Sequence, residues 1–266
     1  MVGGHGTAAS FGALLDSKYG VGNATTVGFA AATFGLIMGG LTGGPVAHRL
    51  IRKYRLVCRE SAKEEAIDEF TEEKINSIPA PEEFFRAFSM LFLAAGFGTL
   101  ISALIEKTGI TFSSYIGAMI AAALLRNLSD VSGKSKNTVM IDIVGILGYV
   151  SLTLFLTLSL MGLKLWQLSS LALPMIVMLL GQTILVVLVS YFLVFRLMGK
   201  DYEAAVIASA TCGFGMGATP NAIANMEAIT SKTGPAPRAF FVVPLVGSLF
   251  VDFINGLILT VFINFI

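Results

Sequence analysis

Long apolar runs dominate the chain, at Ala24–Ile51, Ala87–Ile105, Met140–Met161, Leu171–Met198 and Ala239–Phe265. Each is long enough to cross a hydrocarbon core of about 30 Å as a helix, which takes about 20 residues. A shorter apolar run, Thr111–Leu125, is flanked by polar residues and is read as a sixth span. Two stretches break the pattern. Gly3–Leu15 is small and glycine-rich, and Ala204–Ile229 is apolar at both ends but interrupted by Gly213-Phe214-Gly215-Met216-Gly217-Ala218-Thr219-Pro220. The pattern predicts an all-α membrane protein.

Composition agrees. The 266 residues are 55% hydrophobic and 13% charged, against about 25% charged in a soluble domain. The net charge of +1 leaves no electrostatic footprint for nucleic acid. Between Arg49 and Arg86 lie eight of the eighteen Lys/Arg and nine of the seventeen Asp/Glu. Residues 52–86 are therefore read as a charged connector whose Lys63-Glu64-Glu65 and Glu72-Glu73-Lys74 runs form a solvated helix, ended by Pro79-Ala80-Pro81. Cys58 and Cys212 are too few for a disulfide framework or a zinc site.

Basic residues set the orientation, because they concentrate on the cytoplasmic side. The first long run ends in His48, Arg49, Arg52, Lys53 and Arg55, so that end is cytoplasmic. Counting onward puts Arg126, Lys134, Lys136, Arg196 and Lys200 inside, and Lys107 and Lys164 outside. Lys232 and Arg238 also fall inside if Ala204–Ile229 enters and leaves on one side, which favours a re-entrant hairpin over residues 203–230 and a C-terminus outside.

The two breaks begin similar courses. Gly3-Gly4-His5-Gly6-Thr7-Ala8 leads to Ser17-Lys18-Tyr19-Gly20 and a long span, and Gly215-Met216-Gly217-Ala218-Thr219-Pro220 leads to Ser231-Lys232-Thr233-Gly234 and a long span. The two spans run in opposite directions, as in the inverted repeats of secondary transporters. On this reading residues 1–51 end a first repeat, 52–86 connect, and 87–266 form a second. The two breaks would meet near the bilayer midplane. The first repeat is incomplete, short of about four spans or on the order of 130 residues if the halves match.

Irregular backbone at membrane depth persists only where protein buries it or it lines a cavity. There, helix N-termini favour carboxylates, and unwound carbonyls and hydroxyls favour a cation such as Na⁺. Gly4, Gly6, Thr7 and Ser10 at the first break, with Gly215, Gly217, Thr219, Asn221 and Asn225 at the second, are the candidate substrate-binding residues. Pro220 suits a first helical turn. Asp252, a carboxylate in mid-span, and Asn255 are candidates for a coupling cation, and a pairing of Asp252 with a neighbouring helix is the alternative. His5 is either a proton relay or a hydrogen-bonded structural residue. Asp142 and Glu227 sit nearer segment ends, and Ser151, Thr153, Thr157 and Ser159 either line a path or join helices. Gly213-x-Gly215-x-x-Ala218 matches a loose dinucleotide fingerprint but lacks its strand and its acidic residue. No nucleophile–base pair or metal cluster marks an enzyme.

At these residues the chain resembles the bacterial sodium/glutamate symporters. The resemblance is carried by Gly3-Gly4-His5-Gly6-Thr7, Asn23-Ala24-Thr25, Ala32-Thr33-Phe34-Gly35-Leu36, Gly39-Gly40-Leu41 and Gly43-Gly44-Pro45-Val46. It continues in Leu160-Met161-Gly162-Leu163-Lys164-Leu165-Trp166, Leu171-Ala172-Leu173-Pro174 and, most strongly, Cys212-Gly213-Phe214-Gly215 with Gly217-Ala218-Thr219-Pro220 and Ala222-Ile223-Ala224-Asn225-Met226. It implies ten spans in two inverted repeats with re-entrant loops, the first four spans being absent here. It implies sodium-driven uptake of L-glutamate across the inner membrane in a homodimer, with Na⁺ as coupling ion, no cofactor, the connector cytoplasmic and the C-terminus periplasmic. A carrier of a related carboxylate, or a fragment that does not transport, are the alternatives.

Overall fold

The computed structural model describes residues 2–58, 81–107, 114–131, 138–161 and 171–265. The connector runs at 63–65 and 72–74, Lys134, Lys136 and the motif at 162–170 lie outside the described residues, as do the side chains of Asp142 and Ser159. The described residues are almost wholly helical, without a strand. Helix α1 is Gly4–Lys18, α2 Ala24–Tyr54, α3 Pro81–Glu106, α4 Ser114–Val131 and α5 Thr138–Met161. Helix α6 runs Ala172–Leu197 and contains a π segment, Val189–Val194. Then come α7 (Tyr202–Met216), α8 (Thr219–Thr233) and α9 (Pro237–Leu245), a second π segment (Val246–Val251), and α10 (Asp252–Asn264). Pro244 lies just before that π segment. Its missing N–H and its ring disturb the ordinary helical ladder there, and a widened turn absorbs such a disturbance.

Three helices, Ala24–Tyr54, Pro81–Glu106 and Ala172–Leu197, are long and apolar enough to cross a membrane. Tyr115–Leu128, Ile143–Phe155 and Asp252–Asn264 are shorter apolar helices. Large apolar side chains stand exposed along α3, α5, α6 and α10, among them Phe92, Leu158, Leu173 and Phe262. Soluble monomers rarely show such continuous apolar surface, whereas a bilayer solvates it.

The chain forms two compact units. One takes residues 75–163 and 256–266. Its centre is a helical hairpin of α3 and α4. Gly98 packs on Ala118, and Gly117 on Gly98 and Ser102, so backbones meet without intervening side chains. The C-terminal part of α10 joins it where Gly256 packs on Ile116.

The other unit takes residues 1–74 and 164–255. Here α1 and α2 form an antiparallel hairpin: Gly12 faces Thr25, Ala8 faces Gly28 and His5 faces Thr33. Its corner is tied by Asp16, whose carboxylate accepts from Ala24 N (2.7 Å), Thr25 N (3.1 Å) and Thr25 Oγ1 (2.7 Å). Desolvation works against the ionised form, but the bonds from Thr25 and Ala24 outweigh it and hold the carboxyl below its ordinary value. A depressed folded-state pKa contributes stability above the unfolded value, near 4, that is lost as pH falls through the folded value. Asp16→Asn is therefore expected to lower the melting temperature by about 2–4 °C at pH 7 and to matter progressively less as pH falls below about 4, as read from melts across that range.

Helices α7 and α8 form a second antiparallel hairpin. Tyr202 OH bonds Thr233 Oγ1 at 2.8 Å at its base, Asn225 reaches Ser209 O midway, and Gly213 meets Ala222 near the tip. Asp201 caps α7 through Ala204 N (2.7 Å), and Glu203 caps α9 through Ala239 N (2.9 Å). The Cys58 thiol donates to Pro235 O at 3.2 Å, so it belongs to this base and not to a disulfide. The break expected over Gly213–Pro220 is confined to Gly217–Ala218. Residues 213–216 stay helical, with Gly217 N donating to Gly213 O at 2.8 Å. A helix satisfies its own backbone groups, and an open loop inside an apolar core does not, so the irregular stretch shrinks to the least that reverses the chain.

Candidate functional site

The buried stripe of α2 organises the unit. Ala32, Gly35, Gly39, Gly43, Ala47 and Leu50 recur every three or four residues and are all buried. The hairpin lies on this stripe with α7 antiparallel to α2 and α8 parallel to it. A Cβ on Gly39 would meet Cys212 O at 3.0 Å, and one on Gly43 would meet Ser209 O at 3.0 Å. Asn221 Nδ2 donates to Leu36 O at 3.1 Å, and Asn225 Nδ2 to Gly39 O at 3.0 Å and Ser209 O at 3.3 Å.

Since α1 opposes α2 and α8 parallels it, α1 and α8 point their N-termini at one another. The two ends touch: a Cβ on Gly4 would lie 3.4 Å from Ala218 Cβ and 3.7 Å from Gly217 O. Neither helix carries a side-chain cap at its N-terminus. First-turn N–H groups therefore lack helical acceptors at both ends, and both macrodipoles put their positive ends at one place. Glycine is required at the start of α1, where Gly3 and Gly4 take φ +83° and +58°.

Of the residues expected at the two breaks, the structure brings together Gly4, Thr7 and Gly217, with Thr219 next to them. Thr7 is buried beside Gly3. Thr219 opens α8, and its hydroxyl oxygen is buried with no hydrogen-bond partner among the described residues, facing Gly247 of the second π segment. Asn255 reaches the same end of α1, donating from Nδ2 to Val2 O at 3.1 Å. Asp252, half-buried, begins α10 one turn earlier. Other residues go elsewhere. Gly6 is exposed, and Ser10 donates to Gly6 O at 3.1 Å. Gly215 faces Val186 of α6. Asn221 and Asn225 direct their amides at α2 and α7. Thr33 donates its single proton to Phe29 O at 2.9 Å, so in the 3.0 Å contact with Thr33 the buried His5 donates from Nε2. His5 is thus hydrogen-bonded across the α1–α2 hairpin. Sequence reasoning passed over the part played by Gly39, Gly43 and Gly247. The spacing of Gly35, Gly39 and Gly43, a small-residue stripe for close helix packing, was the available signal for two of them.

Apolar helices of spanning length, exposed apolar faces and two uncapped helix N-termini meeting within one unit define a helical membrane protein. The chain belongs to the sodium/glutamate symporter family: the family model described as Sodium/glutamate symporter matches residues 1–235. It is 40% identical over 261 residues to the sodium/glutamate symporters of Escherichia coli K12 and Shigella flexneri, and 33% identical over 269 residues to that of Haemophilus influenzae Rd. Each alignment takes in 98% of this chain and 65% of the relative, so the chain spans just under two thirds of the length of these relatives. No solved structure matches it.

Proposed function

We propose that this chain carries the substrate and ion site of a sodium-coupled L-glutamate symporter of the bacterial inner membrane, working by alternating access as a carrier and not an enzyme. The observation that carries the reading is the head-to-head approach of α1 and α8. Two uncapped N-termini at one place suit a substrate with two carboxylates, one for each helix end. The Thr219 hydroxyl, buried without a partner, supplies a donor beside them. Asp252 and the side-chain oxygen of Asn255 take Na⁺, a cation that prefers oxygen ligands.

On this reading the α7–α8 hairpin is re-entrant from the cytoplasm and α1 is the outgoing arm of its inverted counterpart. Three facts support the repeat. α1 and α8 are both 15 residues long. α1 is followed by the long apolar α2, and α8 by the helical course Pro237–Asn264 made of α9, the second π segment and α10. His5 faces Thr33, and Thr219 faces Gly247, in each case 28 residues on. The basic residues at the ends of α2 and α6 are then cytoplasmic, the C-terminus is periplasmic, and the working unit is a homodimer in the lipid bilayer. The repeats divide the chain at residues 1–51 and 87–266, with 52–86 between them.

The test is uptake of labelled glutamate into proteoliposomes holding the purified chain, with and without an inward sodium gradient. Sodium-dependent uptake is expected, inhibited by unlabelled glutamate more strongly than by aspartate or citrate. Uptake indifferent to sodium, or inhibited best by citrate, would overturn the assignment. Within that assay, Thr219→Ala is expected to raise the glutamate KM about 5- to 10-fold, the loss of one net hydrogen bond of about 1 kcal/mol. An unchanged KM would remove Thr219 from the site.

A further inference from the structure

We infer that Asn221 and Asn225 are positioning residues that fasten the α7–α8 hairpin to α2, holding its Gly217–Ala218 tip in place, and are not ligands of the substrate. The two amides sit four residues apart on α8, one turn above the other. They address α2 at the same pitch: Asn221 donates to Leu36 O and Asn225 to Gly39 O. Both fit because α2 presents no side chain there. A Cβ on Gly39 would stand 2.7 Å from Asn221 Nδ2, and a Cβ on Gly43 would lie inside the Asn225 amide. Helical carbonyls normally have their lone pairs masked by neighbouring side chains, and glycine exposes them to a second donor. Asn225 also donates to Ser209 O on α7, so one side chain ties three helices. It is buried to 6% exposure, where an amide left without partners is costly.

The consequence for the site is direct. A Cβ on Gly217 would lie 3.0 Å from Asn221 Nδ2 and 3.0 Å from Leu36 Cδ2, so Asn221 packs against the tip itself. The first turn of α8 is thereby set against α2 over the length of the hairpin. α1 meets the hairpin where Gly4 approaches Gly217 and Ala218 at the tip. The hairpin is thereby fastened to α2 along its length, so its tip keeps its place against the α2 backbone. The substrate being positioned rests on the function proposed above, but the fastening does not.

The experiment is thermal melting of the purified chain in detergent, without glutamate or sodium, for Asn225→Ala, Gly43→Ala and the double variant. Each single change is expected to lower the melting temperature by about 4–8 °C, one by removing the two amide bonds and leaving a cavity, the other by driving a methyl into the amide. The double variant is expected to lose clearly less than the sum of the two single losses, because the methyl added at Gly43 enters the space the amide vacates and only its 3.0 Å contact with Ser209 O remains. Asn225→Asp, of equal size but without N–H donors, is expected to melt lower than Asn225→Ala. Additive losses in the double variant, or an Asn225→Ala protein that melts as wild type while its glutamate KM rises tenfold, would overturn the inference. In uptake, Asn225→Ala is expected to cut Vmax about tenfold or more with KM within about twofold, a split that a lost ligand does not give.

Discussion

Gly213→Val is expected to separate the two arms of the α7–α8 hairpin and abolish transport. A Cβ at Gly213 would stand 2.6 Å from both Cα and N of Ala222, and 2.9 Å from the carbonyl carbon of Asn221. All three are backbone atoms, so no side-chain rotation relieves the clash. The arms must part by the order of 1 Å, and parting them draws Asn221 and Asn225 off α2. Overpacking a rigid contact costs about 1–3 kcal/mol, and the lost amide bonds add to it. For a chain of this size the sum lowers the melting temperature by about 6–12 °C. Gly181, exposed on α6 with nothing near the place of its Cβ, provides the control. Gly181→Val is expected to melt within about 1 °C of wild type and to keep its uptake. Equal behaviour of the two variants would mean that the close crossing at Gly213 is not what holds the hairpin.

Asp252→Asn is expected to weaken the apparent affinity for sodium about 10- to 100-fold while leaving the glutamate KM nearly unchanged at saturating sodium. Asp252 is half-buried and has no hydrogen-bond or ion-pair partner among the described residues. A carboxylate at membrane depth is expensive, and in the site proposed above a bound cation offsets that cost. Asn255, one turn on, uses its amide nitrogen on Val2 O, which leaves its oxygen to face a cation. Exchanging the charge for an isosteric amide removes about 1.5–3 kcal/mol of a charged interaction, hence the expected range. Sodium dependence of uptake at fixed glutamate reads the effect directly. An unchanged half-saturating sodium concentration would take Asp252 out of the ion site. A lowered melting temperature with unchanged sodium affinity would instead mark it as a partner in helix packing.

The elements were legible along the chain because their cause is local. A run of about 20 apolar residues has no stable state in water and one in lipid, and the helix that satisfies its backbone groups follows. So α2, α3, α5 and α6 stand within a few residues of Ala24–Ile51, Ala87–Ile105, Met140–Met161 and Leu171–Met198, except at the N-terminus of α3, which reaches back to Pro81. The break at Gly217–Ala218 was legible too, since glycine shortly before Thr-Pro ends one helix and begins another. Periodicity also marked one face of α2, where Gly35, Gly39 and Gly43 share a side.

What periodicity cannot name is the neighbour that a face meets. Asn221 and Asn225 look from the sequence like polar groups beside a broken helix, suited to a ligand. Their donors are used by carbonyls of α2 some 185 residues earlier in the chain. Gly215 looks like part of the break and packs on Val186 instead, because its helix has not yet ended. The meeting of Gly4 with Ala218 likewise depends on α2 lying antiparallel to one helix and parallel to the other. The sequence by itself determined the helices, their breaks and the family, because burial in lipid and the hydrogen-bonding needs of the backbone act within one segment. Only the tertiary structure decided which polar groups stay free for a ligand, because a donor's partner is chosen among segments far apart in the chain, by whichever carbonyl a glycine leaves open.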